Sequence, residues 1–369
     1  MPTLLGPDRS GHIEAALAAD TVVLKAEDYS LNDTITVPFC VGGALVGAGA
    51  GPYTKRRHPH RGPLTVLRWA PGDHGLSPII KIQGSNFWLS DLLVYGAVVG
   101  IQIMKPRRGI GSGKHGFDNV MIEDCTIGWA IADDPESNNC DVCSWRDITV
   151  HKCTTAWKSV GHQAMQHRIA HVSCRQVDTF LDIRGGGCWY VDDIGLMKAQ
   201  AAGVTPTLLR IEQTRFGERG RAAIGSNNAY YEVRNLKTDH QAGAVTLLNH
   251  VNDCPIDVKL LGGKLGHPPV ANIRGNGGLT IRDYSYLGAD LIRWSDAPGK
   301  RTPHFTLADS IVTNIDKPWE LLNIRKSSGQ CWVSITNCHI HPSGRKLADL
   351  VGLIDAGEAE EENDDVEGD

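Results

Sequence analysis

An eight-residue pattern recurs along most of this chain: apolar, any, apolar, any, Asp or Asn, apolar or small, any, apolar or small. It reads FWLSDLLV at 87–94, VMIEDCTI at 120–127, CSWRDITV at 143–150, WYVDDIGL at 189–196, LTIRDYSY at 279–286, FTLADSIV at 305–312 and VSITNCHI at 333–340. HRIAHVSC (167–174) and YEVRNLKT (231–238) are looser copies with His171 and Asn235 in the polar slot, and IDVKLLGG (256–263) puts Leu260 there. The marked positions 91, 124, 147, 171, 193, 235, 260, 283, 309 and 337 are spaced by 33, 23, 24, 22, 42, 25, 23, 26 and 28 residues. A unit of that length cannot bury its apolar face alone and must stack on its neighbours. The 369 residues, long enough for two or three domains, therefore form one continuous core.

Each copy is two short strands of period two, broken by one polar residue. A further short strand precedes most copies, as in Ile80-Lys81-Ile82, Ile101-Gln102-Ile103, Leu181-Asp182-Ile183, Leu209-Arg210-Ile211 and Leu322-Asn323-Ile324. Three strands per coil, with Gly at many corners, specify an all-β fold: a right-handed, single-stranded parallel β-helix of about 10–12 coils. Asp and Asn suit a tight corner because they tolerate the left-handed backbone and bond to local amides. At about 4.8 Å per coil, some eleven coils make a rod about 50 Å long.

The opening segments HIEAALAAD (12–20), TVVLKAEDYSLNDTITVP (21–38), ALVGAGAG (44–51) and TVLRW (65–69) resemble the N-terminal cap and first coils of the pectate-lyase-like superfamily. Polygalacturonases, polysaccharide lyases and phage tailspikes share that opening. The resemblance spans roughly residues 10–355 and implies a short amphipathic helix that plugs the apolar end of the stack. The expected organisation is an N-terminal cap and first coil (1–52), a basic loop (53–63), the β-helix (64–355) and a solvated acidic tail (356–369).

The tail carries eight acidic residues and no basic one, so the remaining 34 acidic residues face 37 basic ones and the rod is weakly basic within a chain of net charge −5. A like-charge run without aromatics is a solvated tail. An apolar fraction of 41% excludes wholesale disorder. No run approaches the roughly 18 apolar residues of a membrane span, and no basic-then-apolar leader opens the chain. The ten cysteines are sparse, and Cys125, Cys174 and Cys338 fall at apolar positions of the repeat, so they read as reduced, buried small hydrophobes. Cys140 and Cys143 form a C-x-x-C, but no second pair with zinc-ligand spacing accompanies it, and neither a metal nor a redox role is assigned. The nine Trp, scattered through the coils, are expected mostly to fill coil interiors.

The segments joining the first strand of each coil to the second, among them 104–119, 132–142, 158–166, 184–188 and 212–230, lie on one side of the rod and carry most of the loop charge. Asp133-Asp134, Gly161-His162 and Arg184 fall there on consecutive coils. Polygalacturonases order a paired Asp, a Gly-His-Gly and a basic pair in a similar way, so the resemblance implies that Asp133 and Asp134 serve as acid and base, with His162 and Arg184 beside them. An inverting pair needs carboxyls about 6.5–9.5 Å apart. The chain departs from the pattern: Lys105-Pro106-Arg107-Arg108 stands where the family has Asn-x-Asp, Gln163 follows His162, and Arg184-Gly185 replaces the basic pair. A lyase base would fit Arg184, Arg274 or Arg325 by position, with few carboxylates nearby for calcium. Gly185, Gly186 and Gly187 read as a tight corner rather than a phosphate cradle.

Basic loop clusters suit a glycan or an acidic protein partner: Lys55, Arg56, Arg57, His58, His60 and Arg61; then Arg107 and Arg108; then Arg215, Arg219 and Arg221, with Arg274 further along. Interleaved stacking aromatics are scarce, which argues against nucleic acid. No cofactor or metal is expected. The first expectation for function is a bacteriophage virion surface protein, a capsid decoration, a fibre or a short tailspike-like adhesin. It would form a homotrimer located on the virion and bind other virion proteins or host-surface polysaccharide. The alternative is a hydrolase or lyase acting on an acidic glycan, extracellular or at the cell surface.

Overall fold

The computed structural model describes residues 9–18, 21–38, 42–51, 64–104, 112–131, 140–160, 165–184, 187–212, 229–238, 245–264, 270–285, 287, 292–295, 304–315, 322–325 and 332–342. The basic loop 53–63 and the acidic tail 356–369 lie outside them. Every strand pairing is parallel, and 21 strands join into one continuous sheet. The chain is a right-handed parallel β-helix, as the repeat and the resemblance to the pectate-lyase-like superfamily imply.

One ladder counts the coils. Ile35, Ile80, Ile101, Trp129, Trp157, Leu181, Leu209, Leu248, Ala271, Ile292 and Leu322 sit one above the next in register, eleven levels in all. The short strands read from Leu-x-Ile and Ile-x-Ile motifs all belong to it. Each ends at the same height on its face, at Ile103, Ile131, Ser159, Ile183 and Ile211, so the segments that follow leave the rod from one edge.

Three corners turn each coil in the best-formed region, and each is a left-handed residue. Asn86, Lys114, Val142 and Gln166 form one column, with φ from 57° to 59°. Gly96, Asp124, Lys152 and Gln176 form another, with φ from 53° to 70°. The repeat's polar slot is the column between them: Asp91, Asn119, Asp147, His171, Asp193, Asn235, Gly262, Asp283, Asp309 and Asn337. Two assignments from sequence therefore change. Asp124 belongs to the next corner, and Asn119 takes its place, turning spacings of 33 and 23 into 28 and 28. Two neighbouring corners both carry an Asx residue between alternating apolar positions, so the pattern fits either. Leu260 yields to Gly262, which reaches the left-handed region without a Cβ penalty.

Side chains stitch this column together. Asn119 Nδ2 donates to Asp91 Oδ1 at 2.7 Å and Asn337 Nδ2 to Asp309 Oδ1 at 2.7 Å. Lys237 Nζ donates to Asp193 Oδ1 at 2.8 Å, and His171 Nδ1 lies 3.2 Å from Asp193 Oδ2. The Lys237 ammonium and the His171 ring hold the Asp193 carboxyl below the usual carboxylate range. Because the folded value is depressed, the stabilisation is complete above the unfolded carboxylate value of about 3.9 and is lost as pH falls through the folded value. Asp193→Asn is expected to flatten the acid limb of the melting-temperature profile below about pH 4. The pair is exposed, so the change is small, and melting scans between neutral pH and pH 2.5 check it.

Val142 is the outlier among the corners, a β-branched residue at φ 58°. A left-handed residue of that shape costs about 1–2 kcal/mol. Val142→Asn is therefore expected to raise the unfolding free energy by about 1 kcal/mol, read from urea titration.

The core is one apolar column, aromatic at its centre. Trp129 and Trp157 stack with centroids 6.3 Å apart and planes at 6°; Phe117, Trp145 and Trp189 form a second stack, at 5.3 and 6.1 Å. All five are buried, as expected for Trp in coil interiors, whereas Trp88 and Trp332 are exposed. The ring of Trp88 lies where a Cβ on Gly116 of the next coil would stand.

At the first coil, helix Arg9–Leu17 puts Ile13 and Leu17, one turn apart, into the open end of the stack. Thr36, on the edge strand Ile35–Val37, donates its backbone N–H to the Glu14 carboxylate. The cap thus covers apolar surface and also satisfies an amide that the missing lower coil would have taken. No helix among the described residues is long and apolar enough to cross a membrane. The seven described cysteines are free thiols; Cys125 and Cys174 are buried as expected, and Cys338 is partly exposed.

Candidate functional site

The short strands that count the coils alternate between core and exterior, so the residue between each inward pair points outward. In register these include Thr36, Lys81, Gln102, Ala130, Lys158, Asp182, Arg210, Asn272 and Arg293. Apart from Thr36 and Ala130, the strip is amide or charged, with cations predominating. At about 4.8 Å per step it offers a regular row of hydrogen-bonding groups along the rod.

Charge concentrates at the middle. Asp182, between Lys158 below and Arg210 above, is only 4% exposed. Arg184, one residue past the strand's end, anchors its backbone by donating to the Ser159 carbonyl at 2.7 Å. Its Nη2 makes one long contact to Asp182 Oδ2, at 3.4 Å. Asp182 Oδ1 and Arg184 Nε are both buried and have no hydrogen-bond partner among the described residues. One coil further, Arg210 Nη2 donates to Glu212 Oε2 at 3.2 Å. Buried polar atoms are paired in the great majority of cases, so an acceptor and a donor both unfilled at neighbouring residues mark a place prepared for something else. A ligand offering a hydroxyl to Asp182 and an anionic oxygen to Arg184 would satisfy both.

Of the residues singled out from sequence, Arg184 stands at this centre. Arg274 shares its line, paired with Val251 below and Ser295 above, but lies within the continuous strand Val270–Ser285. Three coils, about 14 Å, separate the two. Asp133, Asp134, His162, Arg107, Arg108, Arg215, Arg219 and Arg221 lie outside the described residues. Sequence reasoning missed Asp182, Lys158, Arg210 and Glu212. For Asp182 and Arg210 the signal was present, a charged residue inside an otherwise apolar Leu-x-Ile strand, but those strands were read for their inward residues alone.

Two concavities lie on other faces. An open groove of about 340 Å³ runs across the polar corner column and is lined by Asp147, Thr149, His171, Ser173, Asp193 and Gly195. A larger hollow of about 540 Å³ lies under the loop 70–75, where His74 stacks on Trp69 at 4.3 Å. In the first, Asp193 already engages both His171 and Lys237 as part of the corner ladder. In the second, the accessible indole face is covered by the chain's own imidazole. No group of three or more His, Cys, Asp or Glu among the described residues is arranged to hold a metal ion.

No protein-family model matches the chain, and no curated protein sequence matches it. Among solved structures it is similar to the A-module of the Azotobacter vinelandii mannuronan C-5 epimerase AlgE4, at 12% identity and a TM-score of 0.42, over 94% of this chain and 98% of that one. It is likewise similar to the A-module of AlgE6 from the same organism, at 12% identity and a TM-score of 0.39, over 91% and 96%. At that identity the likeness concerns the fold alone.

Proposed function

We propose that the chain is a polysaccharide-processing enzyme that seats an acidic glycan along the outward strip of its short strands, centred on Asp182 and Arg184. The observation that carries this reading is the pair of unfilled buried valences, Asp182 Oδ1 and Arg184 Nε, at the edge from which the long segments leave the rod. Lys158 and Arg210 on the flanking coils surround the carboxylate with positive charge. A carboxylated sugar would place its anion on Arg184 and a ring hydroxyl on Asp182, leaving its neighbours to run over Lys158 and Arg210. The chemistry that fits is hydrolysis or β-elimination. Asp133, Asp134 and His162 enter the next segments along the same edge in sequence and are the proposed acid–base groups. The virion-surface role draws on no feature of the described residues, whereas this reading has one.

The test is incubation of the full chain with a panel of uronate-containing and neutral polysaccharides. Reducing ends and ultraviolet-absorbing unsaturated ends are assayed, and binding is measured by calorimetry. Turnover or saturable binding confined to the acidic polymers is the expected result. Binding to none of the panel, or equal binding of neutral polymers, would remove the proposal.

A further inference from the structure

Cys140 and Cys143 flank a single corner, and the helix folds both thiols inward, at 0% and 1% exposed. Their Sγ atoms are 3.7 Å apart. Above and below stand two buried imidazoles: His115, Cys143 and His167 occupy one position on three successive coils, as the amides of Ser144 and Arg168 show by bonding to the carbonyls of His115 and Cys143 at 2.9 Å each. Cys143 N donates to His167 Nδ1 at 3.3 Å, which puts the ring proton on Nε2, and that buried N–H has no partner. His115 is engaged on both sides, by Phe87 N and by Ser112 Oγ.

The two thiols are not equivalent. Burial pushes the Cys143 thiol up, yet the Cys140 thiol donating to it and the two flanking imidazoles bring it below the ordinary thiol value, while the same contact with Cys143, and then burial, raises Cys140. Cys153 and Cys174, buried elsewhere in the same core, are raised as well. The corner they span is also the strained one, because Val142 between them is the β-branched left-handed residue. A cross-link over Asp141 and Val142 would hold a turn that its own side chain disfavours.

We propose that Cys140 and Cys143 form a reversible intrachain disulfide by exchange with a small-molecule disulfide. Local opening of the strained corner exposes the Cys143 thiolate, which attacks one sulfur of the small disulfide, breaking its S–S bond and releasing one thiolate that takes up the proton Cys143 gave up. Cys140 then attacks the Cys143 sulfur of the mixed disulfide. The second small thiolate leaves and takes up the Cys140 proton. The two cysteines are oxidised, and the small disulfide is reduced to two thiols. The closed form fastens the corner that immediately follows 132–139, the segment bearing Asp133 and Asp134.

The experiment equilibrates the full chain, folded and guanidinium-unfolded, across ratios of reduced to oxidised glutathione, approached from both directions. It is followed by acid quench, alkylation and peptide mass mapping. In the folded chain two of the ten cysteines, Cys140 and Cys143, are expected to escape alkylation without an adduct. The midpoint should be at least about ten-fold more reducing than in the unfolded chain. Cys140→Ser should stop as a glutathione adduct on Cys143, and Cys143→Ser should give neither disulfide nor adduct at Cys140. A folded-state midpoint equal to or more oxidising than the unfolded one, or protection of Cys125 and Cys153 ahead of this pair, overturns the proposal.

Discussion

Trp157→Ala is expected to lower the unfolding free energy by about 3–5 kcal/mol, a large part of the margin that keeps most domains folded. The indole is buried among three other aromatic rings: it stacks on Trp129, meets Trp145 edge-on at 6.3 Å, and lies with its centroid 5.1 Å from that of Phe180 on the next coil. Removing it leaves a void in a region of rigid rings, which cannot collapse as flexible aliphatic chains do, so the upper part of the range applies. Urea unfolding followed by circular dichroism and by Trp fluorescence should show an earlier midpoint by both probes. Trp157→Phe is expected to cost less, because it keeps an aromatic surface and removes an indole N–H that has no partner. A shift under about 1 kcal/mol for Trp157→Ala would mean that the coils are held by their ladders rather than by this core.

Arg184→Ala is expected to weaken binding of an acidic glycan by about one order of magnitude, the range for losing a charge-assisted hydrogen bond at a part-exposed guanidinium. The loss also removes the one ion-pair contact that the buried Asp182 carboxylate makes with a guanidinium. Arg184→Lys should restore charge without the planar donor geometry and recover only part of the affinity. Asp182→Asn removes the negative charge from a cationic strip, and so should weaken neutral hydroxyl recognition while leaving attraction for the polyanion intact. Titration calorimetry on the three variants, at two salt concentrations, separates these effects. If Arg184→Ala and wild type bind alike, the strip is not the glycan surface.

The fold was legible because a β-helix writes its geometry as a period. Asp91, Asp147, Asp193, Asp283 and Asp309 were readable as corner residues from spacing alone, and the Leu-x-Ile strands as a separate ladder. What spacing could not separate was two corners of the same kind five residues apart: Asn119 and Asp124 both satisfy the pattern, and only pairing with Asp91 and Lys152 assigns each to its column. Gly262 was invisible for the opposite reason, since a glycine meets the backbone requirement with no side chain to signal it. The site was legible only at Arg184. Asp182 was passed over because, in an alternating strand, an outward charge is the ordinary case. Its burial and its unfilled oxygen are products of three-dimensional packing and leave no trace in the order of residues. The C-x-x-C was discounted for want of a second pair, while the partners that matter, His115 and His167, come from neighbouring coils 28 and 24 residues away.

The 28-residue interval between Asn86, Lys114 and Val142 bears on how such a chain lengthens in evolution. All three corner columns advance together there, so excision of one interval, or its duplication, rejoins every column in phase. Growth and shrinkage by whole turns leave the hydrogen-bonding order and the interior alternation unaltered. An insertion of any other size within a strand would throw a ladder out of step. The outer edge after the short strands is the exception, since the strands on either side remain paired whatever passes between them. That edge is where the intervals are most unequal, 42 residues from Asp193 to Asn235 against 22 from His171 to Asp193. Whole turns can thus be added or removed without disturbing the ladders, and that seam takes other changes of length at least cost.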